Sequence, residues 1–149
     1  MSSIYYLAPT DADALRFVGH LDELLAADHV DAHDMITVPH FTSLPDLAEG
    51  RPITIDLSVT NQIWPPMPEN PETDLAWLAE PLIERLADSL RDRVAAIPPD
   101  QVAALADAWS VELNGAVDEG LSGQLAHDLI QLAQRGRDNH LALYNWYEL

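Results

Sequence analysis

Residues 141–149 read LALYNWYEL, and this stretch decides the fold. On a strand, successive side chains alternate faces, so Ala142, Tyr144 and Trp146 fall on one side and Leu143, Asn145 and Tyr147 on the other. One set must face the core; the other is partly exposed unless something covers it. Ile4-Tyr5-Tyr6-Leu7, near the other end of the chain, reads as a second short strand, stopped by Pro9. Paired, the two place both ends of the chain in one small sheet.

Working inward, Thr10-Asp11-Ala12-Asp13 has the form of a capping box. Leu15, Val18, Leu21 and Leu25 follow at helical spacing, which predicts an amphipathic helix over 11–27. Met35 to Val38 is expected to be a short edge strand ended by Pro39, and Leu44 to Leu47 one helical turn closed by Gly50. Residues 51–60, RPITIDLSVT, alternate most strictly. Ile53, Ile55, Leu57 and Val59 point one way and Thr54, Asp56 and Ser58 the other, which predicts a strand with one buried face.

Residues 61–74, NQIWPPMPENPETD, form a proline-rich connector. Pro81 suits a first helical turn, and Leu82, Leu86, Leu90 and Val94 predict a helix to about residue 97, broken by Pro98-Pro99. Another helix starts at Pro99-Asp100-Gln101 with Val102, Leu105 and Trp109 inward. Gly115 and Gly120 mark a connection. Leu121, Leu125, Leu129 and Leu132 define a last helix, with Arg135 and Arg137 at its negative end and Gly136 as C-cap. The expected fold is α+β: a small, mostly antiparallel sheet that includes the N- and C-terminal strands, packed against about four helices. With no internal repeat and no linker between halves, residues 1–149 read as a single domain.

Composition limits the function. Twenty-five carboxylates face seven basic residues, all arginine, for a formal net charge of -18. So acidic a chain is repelled by nucleic acid and by anionic lipid. It has no cysteine, which removes disulfides, thiolate metal sites and cysteine nucleophiles. The first residues lack the basic segment of a signal peptide and no apolar run reaches spanning length, so the expected setting is cytoplasmic.

The usual signatures of chemistry are missing: no G-x-S-x-G, no Walker or dinucleotide glycine pattern, no H-E-x-x-H and no EF-hand loop. Residues 28–34, DHVDAHD, place His29 and His33 four apart, on one face of a helix. Asp31 would then be turned about 200° from His29, and no third ligand stands on a rigid element. The stretch therefore reads as a solvated acidic turn, with no metal and no cofactor expected. A lone Asp56 on the polar side of the predicted strand could serve as an acid or base. Trp64, Trp109, Tyr144 and Trp146 could line an apolar pocket with it if the terminal strands pair.

Several motifs together carry a resemblance. SIYYLAP, FTSLPDLAEG, IWPP, PPDQVAALADAW and the closing LAQRGRDNHLALYNWYEL resemble a group of uncharacterised small bacterial proteins and, more distantly, the YfbM-like family, a domain of unknown function. Pro99-Asp100-Gln101-Val102, Gln134 to Arg137 and Leu143 to Trp146 carry the match. Pro98 departs from it, standing where a capping threonine is expected, and residues 28–40 find no counterpart. The resemblance implies a single α+β domain and assigns no catalytic residue.

Three functional readings follow. The leading one is a non-enzymatic binding factor, immunity- or inhibitor-like, for a basic partner protein, monomeric or homodimeric. Asp22, Glu23, Asp28, Asp31 and Asp34 would steer the association. The rival is a small-molecule-binding protein or enzyme using the aromatic pocket. The third is a plain acidic fold adapted to salt.

Overall fold

The computed structural model describes residues 2–32, 38–113 and 119–148. Five strands form one antiparallel sheet: β1 (Ser2–Ala8), β2 (His29–Asp31), β3 (Thr60–Trp64), β4 (Leu82–Leu86) and β5 (Ala142–Glu148), in the order β2-β1-β5-β4-β3. β1 and β5 pair along their whole length, from Ser2 opposite Glu148 to Ala8 opposite Ala142. Six helices complete the described chain: α1 (Asp11–Leu15), α2 (Leu21–Ala26), α3 (Val38–Ala48), α4 (Asp88–Ala95), α5 (Val102–Glu112) and α6 (Glu119–Asp138). The expected α+β fold with paired terminal strands is the one observed.

Both faces of the sheet are covered, which explains why β1 and β5 are apolar on both sides. Tyr5, Leu86 and Leu143 face a layer built by α3 to α6, where Phe41, Leu44, Val94, Trp109 and Leu129 are buried. Ile4, Tyr6, Ile83, Tyr144 and Trp146 face the other way, against Ala14, Phe17 and Leu24. Tyr5 stacks on Phe41 at 5.0 Å, while Tyr6 meets Phe17 edge-on at 5.5 Å. Such ring pairs add to the area they bury.

That second cover is where the predicted 11–27 helix divides. Thr10 caps α1 as expected, its side chain accepting from the Asp13 amide at 3.2 Å. The helix ends at Leu15, and Gly19 takes a left-handed φ of 77°, so Phe17 and Leu24 both turn onto the sheet. Leu21 and Leu25, half of the predicted apolar stripe, are left exposed.

Further expectations are corrected. The stretch 28–34, expected to be an acidic turn, contains an edge strand: His29–Asp31 pairs with β1, with Val30 opposite Tyr5. Val30 and Ala32, two apart, are buried, and the Ala32 amide reaches the Ser3 carbonyl at 2.8 Å. A period of two decided this segment, and the i, i+4 histidine spacing was incidental; His33 and Asp34 lie outside the described residues. The expected strand at 35–38 falls there too, apart from Val38, which opens α3. That helix is longer than the single turn predicted and runs through Pro45.

Residues 51–60 are not the strand their alternation predicts. Residues 51–56 have no regular structure, and Leu57–Val59 is a 3-10 turn capped by Asp56, which accepts from the Ser58 amide at 2.9 Å. Ile55 and Leu57 are 71% and 67% exposed. The edge of β4 is instead paired by Thr60–Trp64, taken from the stretch assigned to the proline-rich connector. A side chain of Asp that captures a nearby amide offers the backbone an alternative to a ladder.

Leu82–Leu86 is a strand and not the first turns of a helix; only Asp88–Ala95 is helical. Positions i and i+4 share a face in both periodicities, so Leu82 and Leu86 could not discriminate them. Lastly, α6 passes through Gly120 and Gly136, and the residue with positive φ beyond its end is His140. Gly136 is required for closeness: a Cβ there would lie 2.9 Å from Leu7 Cδ2 and 3.2 Å from the Leu141 carbonyl.

Candidate functional site

The sheet register brings polar groups together on the face that looks toward α3. Tyr5 on β1 and Glu84 on β4 both stand opposite Asn145 on β5, so the three form one row across the sheet centre. A central strand has no solvent to satisfy its polar side chains, so each must find a partner. Asn145 is 2% exposed; its Oδ1 accepts from the Ser3 hydroxyl at 2.8 Å, and its side chain hydrogen-bonds Glu84. Ser3 also hydrogen-bonds Tyr5. The network runs Tyr5–Ser3–Asn145–Glu84 across three strands.

Glu84 is the end of that network that meets a cavity. Burial pushes its carboxyl up from the ordinary value, opposed by the hydrogen bond from Asn145. Burial likewise raises the Tyr5 phenol well above its usual range. The cavity measures about 350 Å³, and among the described residues it is lined by Val38, Pro39, Leu57, Thr60, Leu82, Glu84, Asn145 and Tyr147. Four apolar side chains, one ring, two neutral polar groups and one carboxylate make an apolar recess with a few convergent polar atoms, the usual composition of a binding site. Among these described lining residues Glu84 is the single carboxylate, and there is no arginine or histidine.

The aromatic candidates are held elsewhere. Trp109 is fully buried in the helical layer, its indole N–H donating to the His40 carbonyl and to Ser43 Oγ, each at 3.1 Å. Trp64, Tyr144 and Trp146 belong to the opposite face. The Tyr144 hydroxyl donates to Asp11 at 2.7 Å, and the buried Trp146 Nε1 has no hydrogen-bond partner among the described residues. Asp56 is exposed and is engaged in its own cap, with Ser58 holding its carboxyl below the usual range. None of these five lines the cavity over Glu84.

The described acidic candidates are not gathered on one element. Asp22 and Glu23 are exposed in the first turn of α2. Asp28 receives both arms of the Arg135 guanidinium, at 2.8 Å each. Asp31 lines a polar cleft of about 240 Å³ with His29, Asp128, Gln131 and Arg135; Asp34 lies outside the described residues. Among the described residues no group of three or more acidic or histidine side chains is placed to hold a metal ion.

Sequence reasoning passed over Glu84, Asn145 and Ser3. The signal existed: Asn145 is the one non-aromatic polar residue inside LALYNWY, and Glu84 interrupts the apolar run Leu82-Ile83. Reading 82–86 as helix hid the cross-strand row.

Among the described residues no helix is long and apolar enough to cross a membrane. Compared with protein-family models, with curated proteins and with solved structures, the chain finds no match in any of the three.

Proposed function

We propose that this chain is a non-enzymatic binding factor, immunity- or inhibitor-like, for a basic partner protein in the cytoplasm. One observation carries the reading: six of its seven arginines are spent on ion pairs within the chain. Arg51 pairs with Glu49, Arg85 with Asp11, Arg91 with Asp88 and Asp92, Arg93 with Asp46 and Glu49, Arg135 with Asp28, and Arg137 with Asp138. The seventh, Arg16, sits over the Phe17 ring at 5.0 Å. The cations are thus committed internally, and the excess of acid is what an approaching molecule meets. Such a field raises the rate of encounter with a cationic surface and repels anionic ones.

Asp28 serves Arg135 first, so steering falls more on Asp22 and Glu23, which are exposed in the first turn of α2. The test is isolation from host extract at low salt, followed by reconstitution from purified components. A stoichiometric basic protein that binds again when purified, and whose association rate falls steeply with salt, is the expected result. Recovery of the chain alone at every salt concentration would overturn the reading.

A further inference from the structure

We propose that the cavity over Glu84 receives an arginine side chain presented by that basic partner, with the Glu84 carboxylate as its counter-ion. The inference rests on the reading above for the identity of the partner, but its geometry stands apart from the surface charge. Glu84 lies at mid-sheet on β4, held from one side by Asn145, which Ser3 fixes in turn. The carboxylate is therefore positioned before any ligand arrives, which lowers the cost of ordering it on binding.

The walls match the rest of an arginine. Val38, Pro39 and Leu82 offer apolar surface for a methylene stem, and Tyr147 adds an aromatic side chain, a group to which a guanidinium is attracted. A guanidinium also sheds water more readily than an ammonium and meets a carboxylate with two parallel donors. Anions find no cation among the described lining residues and a carboxylate in their way.

The rim supplies a second, independent observation. Leu57 lines the cavity while remaining 67% exposed, and Ile55, two residues earlier, is 71% exposed. Large apolar side chains left in water beside a recess are the pattern of a surface that a partner covers. A free small cation would leave them wet.

The probe is n-butylguanidinium, an arginine side chain without its backbone, titrated into the unaltered protein and followed by amide and side-chain NMR shifts. The expected result is saturable shifts at Glu84, Asn145, Thr60 and Tyr147. The neutral isostere n-butylurea should bind about tenfold more weakly, one charge-assisted contact less, and butyrate should leave those residues unmoved. Glu84→Gln, with its folded spectrum otherwise preserved, should lose the preference for guanidinium over urea.

Equal binding of urea and guanidinium, or shifts confined to surface acids, would overturn the proposal. The two readings fail separately. A basic partner that reconstitutes while n-butylguanidinium ignores the cavity leaves the binding factor and removes the arginine site. A cavity that selects guanidinium while no basic partner is found leaves the site and removes its macromolecular partner.

Discussion

Ser3 and Asn145 are 142 positions apart in the chain, and their side chains meet at 2.8 Å. This bond ties β1 to β5 beneath the sheet face and orients the amide that holds Glu84. Removing a buried partner strands the groups it served, which costs more than the bond itself contributes. Asn145→Leu should therefore lower stability by about 2–3 kcal/mol, since it strands both Ser3 and Glu84. Ser3→Ala removes a partner from both Asn145 and Tyr5 and should cost a similar amount, about 2–3 kcal/mol. Urea unfolding of the three proteins reads both losses, and a loss below about 0.5 kcal/mol in either variant would mean that the residue does not join the network.

Glu84 gives a pH dependence of known sign. Its folded carboxyl holds a proton to higher pH than the ordinary value of 4.5, so the folded state binds more protons than the unfolded one across that window. Its contribution is fully present below about pH 4.5 and is lost as pH rises through the folded value. Glu84→Gln should thus be more stable than the parent at pH 7, with the difference vanishing in acid. Partial exposure screens the effect to about 1 kcal/mol or less. Thermal melts at pH 4 and pH 7 compare the two. A side chain that costs stability where it stands is easier to understand as part of a binding site than as part of the scaffold.

Asp46 behaves in the opposite sense. Burial opposes its ionisation, but Arg93 and Thr54 outweigh burial and hold the carboxyl below its usual value. Arg93 Nη2 reaches Asp46 at 2.9 Å while the same guanidinium grips Glu49, tying α4 to α3. The stability this pair contributes is present at neutral pH and is lost as pH falls through the depressed folded value. Arg93→Leu should cost about 2 kcal/mol at pH 7, less than a fully buried pair because the arginine is partly exposed. The deficit should shrink as pH falls through that depressed value and Asp46 takes up its proton. A deficit independent of pH would assign the loss to packing alone.

The parts of this fold legible in the sequence are those whose pattern had one reading. Tyr5, Tyr6, Tyr144 and Trp146 could be strand and little else, because aromatic residues at both parities need a sheet covered on two sides. Thr10 with Asp13 fixed a helix start by local hydrogen bonding. The errors came where two periodicities coincide or where a long-range partner decides. Leu82 and Leu86 share a face in helix and strand alike, and the competition between 51–59 and 60–64 for the edge of β4 is settled by pairing with residues further along. The cavity over Glu84 was illegible for the same reason: its lining comes from α3, β3, β4, β5 and the turn before β3, and only the register brings them together.

Gly136 tests whether closeness, and not helix termination, is what that residue provides. In a helix interior alanine is ordinarily better than glycine by about 1 kcal/mol. Here the added Cβ would sit 2.9 Å from Leu7 Cδ2, 3.0 Å from Arg91 Cδ and 3.2 Å from the Leu141 carbonyl. The two side chains could yield, but Arg91 is buried and its Nη1 donates to that same Leu141 carbonyl at 2.7 Å, so moving either disturbs the bond. Gly136→Ala should destabilise by about 1–3 kcal/mol despite its better propensity. If the position were a helix cap with open space around it, the same substitution would be tolerated when φ is negative. Urea unfolding of Gly136→Ala beside the double variant Gly136→Ala, Leu7→Ala separates the cases. Partial recovery of the substitution's cost in the Leu7→Ala background, measured against Leu7→Ala alone, is expected if the contact between α6 and β1 is the cause. No change in that cost would place the strain at Arg91 and the Leu141 carbonyl.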